Sequence, residues 1–191
     1  GQKLQPGDID AGIEMVVSDG TFGNLPVVGQ VQNAELVANF DATGASVSGS
    51  AEMLGVSSNL LVTFDDDTER VSMRVSAQKS AALADMMAAR AGIDVNGTLA
   101  GSIELNSDLQ FGNVLIDVGV DFSNAGASVP AIGWAKLPGE PGTAAMTLEL
   151  EGGRLHRIRD STVTSSSLSA AGGAEFNAPD EGPLQLRGAT F

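Results

Sequence analysis

Along much of the chain every second residue is apolar. In "NVLIDVGVDF" (113–122), Val114, Ile116, Val118, Val120 and Phe122 alternate with Leu115, Asp117, Gly119 and Asp121. A period of two belongs to a β-strand, because successive side chains leave a strand on opposite faces. The same alternation runs through Ile13, Met15 and Val17, through Leu36, Ala38 and Phe40, and through Ala45, Val47, Gly49, Ala51 and Met53. It returns in Leu60, Val62 and Phe64, in Val71, Met73 and Val75, in Leu99, Gly101, Ile103 and Leu105, and in Met146, Leu148 and Leu150. The breaks are short and carry turn residues: "DATG" at 41–44, "FDDDTER" at 64–70, and "LEGGRL" at 150–155. The glycine pair of the last supplies the positive φ that a tight turn demands. Regular strands with short breaks predict a mainly β chain, an antiparallel meander with one apolar face.

One segment has a different period. "SAQKSAALADMMAARAG" (76–92) is rich in Ala, Leu and Met and holds no β-branched residue, so it favours helix. Leu83, Met86, Met87 and Arg90 follow helical spacing. Ser76 or Ser80 is placed to cap the start and Gly92 to end it. One short α-helix is predicted near 79–91. The polar tail alternates more weakly and predicts strands near 161–169, 171–177 and 184–190. "ASVSGSAEM" (45–53), "SLSAAGGAEF" (167–176) and "NGTLAGSIEL" (96–105) share a faint small-residue likeness, a hint of an internal repeat.

Charge narrows the partners. Acids outnumber bases 24 to 10, a net charge of −14. That repels nucleic-acid phosphates, and no polybasic cluster is present to dock an anionic membrane. No apolar run approaches the roughly 20 residues of a spanning helix. The start, "GQKLQPGDID", reads as a cut end, so any anchor or export signal is expected outside this chain. With no cysteine, there is neither a disulfide frame nor a thiolate metal site, and the compartment stays open.

The chemical inventory is thin. His156 is the sole imidazole, among Arg154, Arg157 and Arg159. No second His or Cys completes a metal site, and an ordinary strand position fits it better than a base or ligand. The arginines offset neighbouring carboxylates or meet a lipid phosphate. Asp65, Asp66 and Asp67 lack calcium-loop spacing and read as a solvated hairpin tip. Asp117 and Asp121 would stand roughly 13 Å apart along a strand, too far for a glycosidase pair. No nucleophile elbow, phosphate loop or dinucleotide fingerprint occurs. The expectation is no enzyme, no cofactor and no metal. The six methionines fall on apolar faces, as core filler or as an adaptable channel wall.

"VDFSNAGASVPAIGWAKLPGEPGTAAMTLELEGGRL" (120–155) resembles the AsmA-like C-terminal region of the AsmA/YhdP/TamB group of Gram-negative envelope proteins. "GIDVNGTLAGSIEL" and "VQNAELVANFDATGASVSGSAEMLG" add to the likeness, which covers most of 31–155. The resemblance implies one AsmA-like domain over 1–191, or a fragment of a longer periplasmic protein anchored in the inner membrane outside this chain. It implies a bent sheet whose concave apolar face is a β-groove for phospholipid acyl chains, serving lipid transport between inner and outer membranes or envelope maintenance. Other envelope proteins are possible partners.

On that reading the groove lining is Leu60, Val62 and Phe64 with Val71, Met73 and Val75. It continues through Ile103 and Leu105, through Ile116, Val118, Val120 and Phe122, and through Leu148 and Leu150. Pro130, Pro138 and Pro141 keep the tryptophan segment out of a central ladder, so it is expected to be a crossing loop. Its Trp134 then either covers the groove's edge or mouth, or plugs the end of the core. Alternation cannot separate an open groove from a closed core, so the rival is a structural β-sandwich, a spacer or interaction module of the envelope.

Overall fold

The computed structural model describes residues 12–25, 29–41, 44–91, 93–177 and 185–190. Five strands come first: β1 (Ile13–Leu25), β2 (Gly29–Asp41), β3 (Gly44–Met53), β4 (Val56–Asp65) and β5 (Arg70–Ser80). The helix α1 (Ala81–Ala91) and the short β6 (Asp94–Gly97) follow, then β7 (Leu99–Asp108) and β8 (Asn113–Asp121). Next come β9 (Ala125–Val129), a 3-10 turn at Pro130–Ile132 and β10 (Trp134–Lys136). The chain ends with β11 (Gly142–Glu151), β12 (Arg154–Ser165), β13 (Ser169–Phe176) and β14 (Leu186–Thr190).

Eleven strands form one antiparallel sheet in the order β1-β2-β3-β4-β5-β7-β8-β11-β12-β13-β14. It is not closed: β1 and β14 are its two edges. The meander leaves the sheet twice, after β5 and after β8. The two excursions meet, because β6 from the first pairs with β9 from the second, giving a three-stranded sheet β10-β9-β6. The sequence likeness between 45–53, 96–105 and 167–176 falls on β3, on β6 with β7, and around β13.

Local chemistry accounts for the shape. Register shifts in β1, β2, β5 and β12 put Asp19, Asn33, Lys79 and Asp160 at φ of 53°, 50°, 48° and 54°. An extra residue in the left-handed region bends its strand and increases the twist. Gly49 faces the β2 bulge, where an added methyl would run into the Glu35 carbonyl. Gly152 and Gly153, at φ 57° and 76°, close the β11–β12 hairpin as their sequence suggested.

Three expectations shift. The helix begins at Ala81, since the Ser80 hydroxyl accepts the Leu83 N–H at 3.0 Å and caps it. Gly92, expected as its stop, lies outside the described residues, as do the side chains of Met87 and Arg90. The strand expected near 161–169 is β12, which starts at Arg154, because the bulge at Asp160 interrupts its alternation. The tryptophan segment is not a loop throughout. Pro130 sits in the 3-10 turn, and Trp134–Lys136 pair with Ala127–Val129.

Two apolar clusters lie along the large sheet. One joins Val31, Ala34, Leu36, Ala51, Met53 and Val75, and the other Leu105, Val114 and Ile116. Met73 and Ile103 pack against both, so the apolar strip is continuous. A third cluster, around Ala84, Leu99, Phe122 and Ala125, ties α1 and the small sheet to one end of it.

Candidate functional site

Cross-strand register decides which side chains share a face, since directly opposed residues of an antiparallel pair point the same way. Leu60 opposes Val75, Val75 opposes Ile103, and Ile103 opposes Val118. One step along the strands, Val62, Met73, Leu105, Ile116 and Leu148 form the next row. A further step gives Phe64 and Val71, then Ser107 and Val114, then Leu150. Val120 stands in the row of Gly101, on the other side of the first. The structure therefore brings the residues named from alternation onto one face, apart from Phe122, which lies just past the end of β8.

That face is not uniform. Val71, Leu105 and Ile116 are only 4–6% exposed. On the same face, the row of Phe64 continues through Ala45 to Phe40 and Ile13, and these large side chains are 38%, 40% and 62% exposed. The apolar face is thus buried over β5, β7 and β8 and open at its rim over β1, β2 and β4.

At the opposite end of the strands, α1 lies over the sheet. A cavity of about 160 Å³ remains between them. Val75, Ala77, Ile103, Val118 and Val120 line it from the sheet, and Leu83 and Met86 from the helix. Gly101 makes room for α1: a methyl there would come within 2.9 Å of Leu83 Cδ2. Helical spacing had singled out Leu83 and Met86, but nothing in it could say that they face this cavity.

Beside the cavity, Phe122 and Trp134 meet edge to face, 6.5 Å between ring centroids and 85° between planes. The Trp134 indole donates from Nε1 to the Ser167 hydroxyl at 3.2 Å. This places the indole at the α1 end of the apolar face, not at the open rim. Alternation gave no sign of Lys136. It is 3% exposed, and its amine donates to the carbonyls of Phe122, Ser123, Ala125 and Leu137 at 2.9–3.3 Å. The ammonium also stands 5.6 Å from the Phe122 ring centroid, within cation–π range. Carbonyls here replace the water that a buried ammonium loses.

The other face is polar and cross-braced. Arg74 meets Glu104 at 2.7 Å, and the Thr63 and Ser72 hydroxyls share a hydrogen bond of 2.6 Å. Arg157 bridges Glu149 and Glu175, while Arg159 reaches Glu149 at 3.1 Å. Arg157 and Arg159 therefore offset carboxylates, one of the two roles expected of the arginines around His156. Asp117 accepts from Thr147. Asp65 ends β4 and accepts the Thr68 N–H, and Asp66 and Asp67 lie in the turn.

His156 sits in β12 on the wall of an open cleft of about 730 Å³, with Asp65, Arg70, Asn106, Asp108 and Glu151 among its lining. Its Nδ1 is buried without a hydrogen-bond partner among the described residues. Hydrogen bonds from Ser123, first the hydroxyl and then the backbone N–H, hold the Asp121 carboxyl below its ordinary range. Among the described residues no group of three or more His, Asp or Glu is placed to hold a metal ion. No described helix is long and apolar enough to cross a membrane. No protein-family model, curated protein or solved structure matches the chain.

Proposed function

We propose that this chain is the periplasmic groove of an AsmA-like, inner-membrane-anchored envelope protein, and that its apolar face accommodates phospholipid acyl chains in transit between membranes or in envelope maintenance. The observation that carries the reading is the one-sided apolar strip of an unclosed sheet, with open hydrocarbon at its rim and an apolar cavity at its far end. Strand ladders satisfy the backbone on their own, so such a face can meet a guest without baring amides. An acyl chain on it keeps about 0.8 kcal/mol of burial per methylene without needing a deep polar pocket. No covalent step is part of the role. The family resemblance rests on the residues quoted from 31–155, above all "VDFSNA" and "GWAKLPGEPG".

Native mass spectrometry of the purified protein tests the reading, together with uptake of a fluorescent fatty acid. Bound phospholipid and saturable uptake displaced by phospholipid are the expected result. A clean apo mass with no uptake overturns the carrier and leaves a spacer or interaction module.

A further inference from the structure

We propose that the free edge of β1 takes an added strand, an extended segment of a basic partner protein in which apolar residues alternate with lysine or arginine.

The two edges of the large sheet are built differently. The apolar row of Val62 and Met73 runs to Ala189 at one edge and to Met15 at the other. An edge strand that must face water is kept short, charged or bulged, which stops further strands from pairing with it. β14 fits that description: it has five residues, among them Arg187 and Gly188, and an irregular register with β13. The start of β1 does not. Ile13, Met15 and Val16 are 62%, 54% and 67% exposed. Their pairing with β2 is regular from Ile13 to Val17, and the register shifts and the left-handed Asp19 come only after it. Alternate N–H and C=O groups of an edge strand point away from the sheet, and no described strand pairs with those of β1.

The placement of these side chains calls for a strand. Ile13 and Met15 stand on the apolar face, with Phe40 opposite Ile13. Val16 stands on the polar face, in the row of Val37 and Leu61. A helix or a lipid tail laid on the apolar face would leave Val16 in water and the outward backbone groups unused. A strand beside β1 covers both faces and pairs with those groups at once.

Charge selects the partner. Glu14 is exposed in the regular segment, on the face of Val16. From β1 to β4 the strands carry Glu14, Asp19, Glu35, Asp41, Glu52 and Asp65, and no lysine or arginine. A second copy paired through β1 would set the same carboxylates against one another. A lysine or arginine opposite Glu14 instead makes a favourable cross-strand pair.

The probe is a short synthetic peptide in which valine alternates with lysine and threonine. Its controls are an acidic twin, with glutamate for lysine, and a peptide of the basic composition whose alternation a central proline breaks. Binding to the full chain is read by fluorescence anisotropy, and the contact by amide hydrogen exchange. The alternating basic peptide should bind saturably and slow exchange over Ile13–Val17. Glu14→Lys, at an exposed position, should weaken it by about threefold to tenfold and transfer the preference to the acidic twin. Equal binding of the proline peptide, protection elsewhere, or no effect of Glu14→Lys overturns the proposal. Protection of Ile13–Val17 that rises with protein concentration alone, with a doubled mass in solution, gives the edge to a second copy and also overturns it.

Discussion

In the middle of the large sheet, Leu105 and Ile116 are covered by other hydrocarbons; at the α1 end, the Lys136 amine is covered by carbonyl oxygens. Both groups are buried to within a few per cent. The first kind of burial needs only the right residue type in the right row, and neighbouring strands supply the rest. The second needs four carbonyls from three separate places, Phe122–Ser123, Ala125 and Leu137, brought to one point by the turn after β8 and by β10. A sheet built from repeated rows tolerates change at any one row. A junction built around a single cation depends on that cation.

The sharpest way to break this contrast is Lys136→Ala. It leaves buried carbonyls without a donor, each costing about 1–3 kcal/mol before water refills the space, so a loss of about 4 kcal/mol is expected in urea unfolding. Lys136→Met restores the stem over Phe122 without the donors and should recover only the smaller, packing share. A loss below about 1 kcal/mol for the alanine variant would mean that the carbonyls are as well served by water.

Ile116→Ala comes next, with an expected loss of about 3 kcal/mol from removed burial and the cavity left behind. Asp117→Ala, one residue on but on the wet face, should change stability by about 0.5 kcal/mol or less. Equal effects at the two positions would undo the assignment of faces.

The smallest effect lies at the junction of the two regions. Asp121 ends β8, and Ser123 holds its pKa down in the folded chain. A lowered folded pKa gives stability that is present above the free carboxyl's value, about 3.9, and is lost as the pH falls below it through the depressed one. Asp121→Asn should therefore flatten the acid limb of the stability profile below about pH 4, leaving stability at pH 7 slightly reduced. An unchanged acid limb would remove Asp121 from the account.

Most of the sheet was legible because its signal is local. Val62, Met73, Leu105, Ile116 and Leu148 each sit at an even step from their apolar neighbours, and the register then aligns them. Ser80 was one of two candidate caps, and only the bond to Leu83 separates it from Ser76. The bulge at Asp160 hid the first half of β12, because one extra residue exchanges the faces of everything before it. Phe122 fits the alternation of β8 but lies beyond its last pair, so the chain turns there and the ring joins Trp134 instead. Lys136 gave no sign at all, since a lysine between apolar residues ordinarily points to water.

The sequence by itself determined the strand periods, the position of the helix and the chemical contrast between the two faces, because these depend on neighbours one to four residues away. Tertiary structure decided that the two excursions from the meander pair with each other, that α1 covers one end of the apolar face while Phe40 and Phe64 leave the other open, and that a lysine serves as core. Those outcomes join residues far apart in the chain, where burial and hydrogen-bond satisfaction are settled by the whole fold.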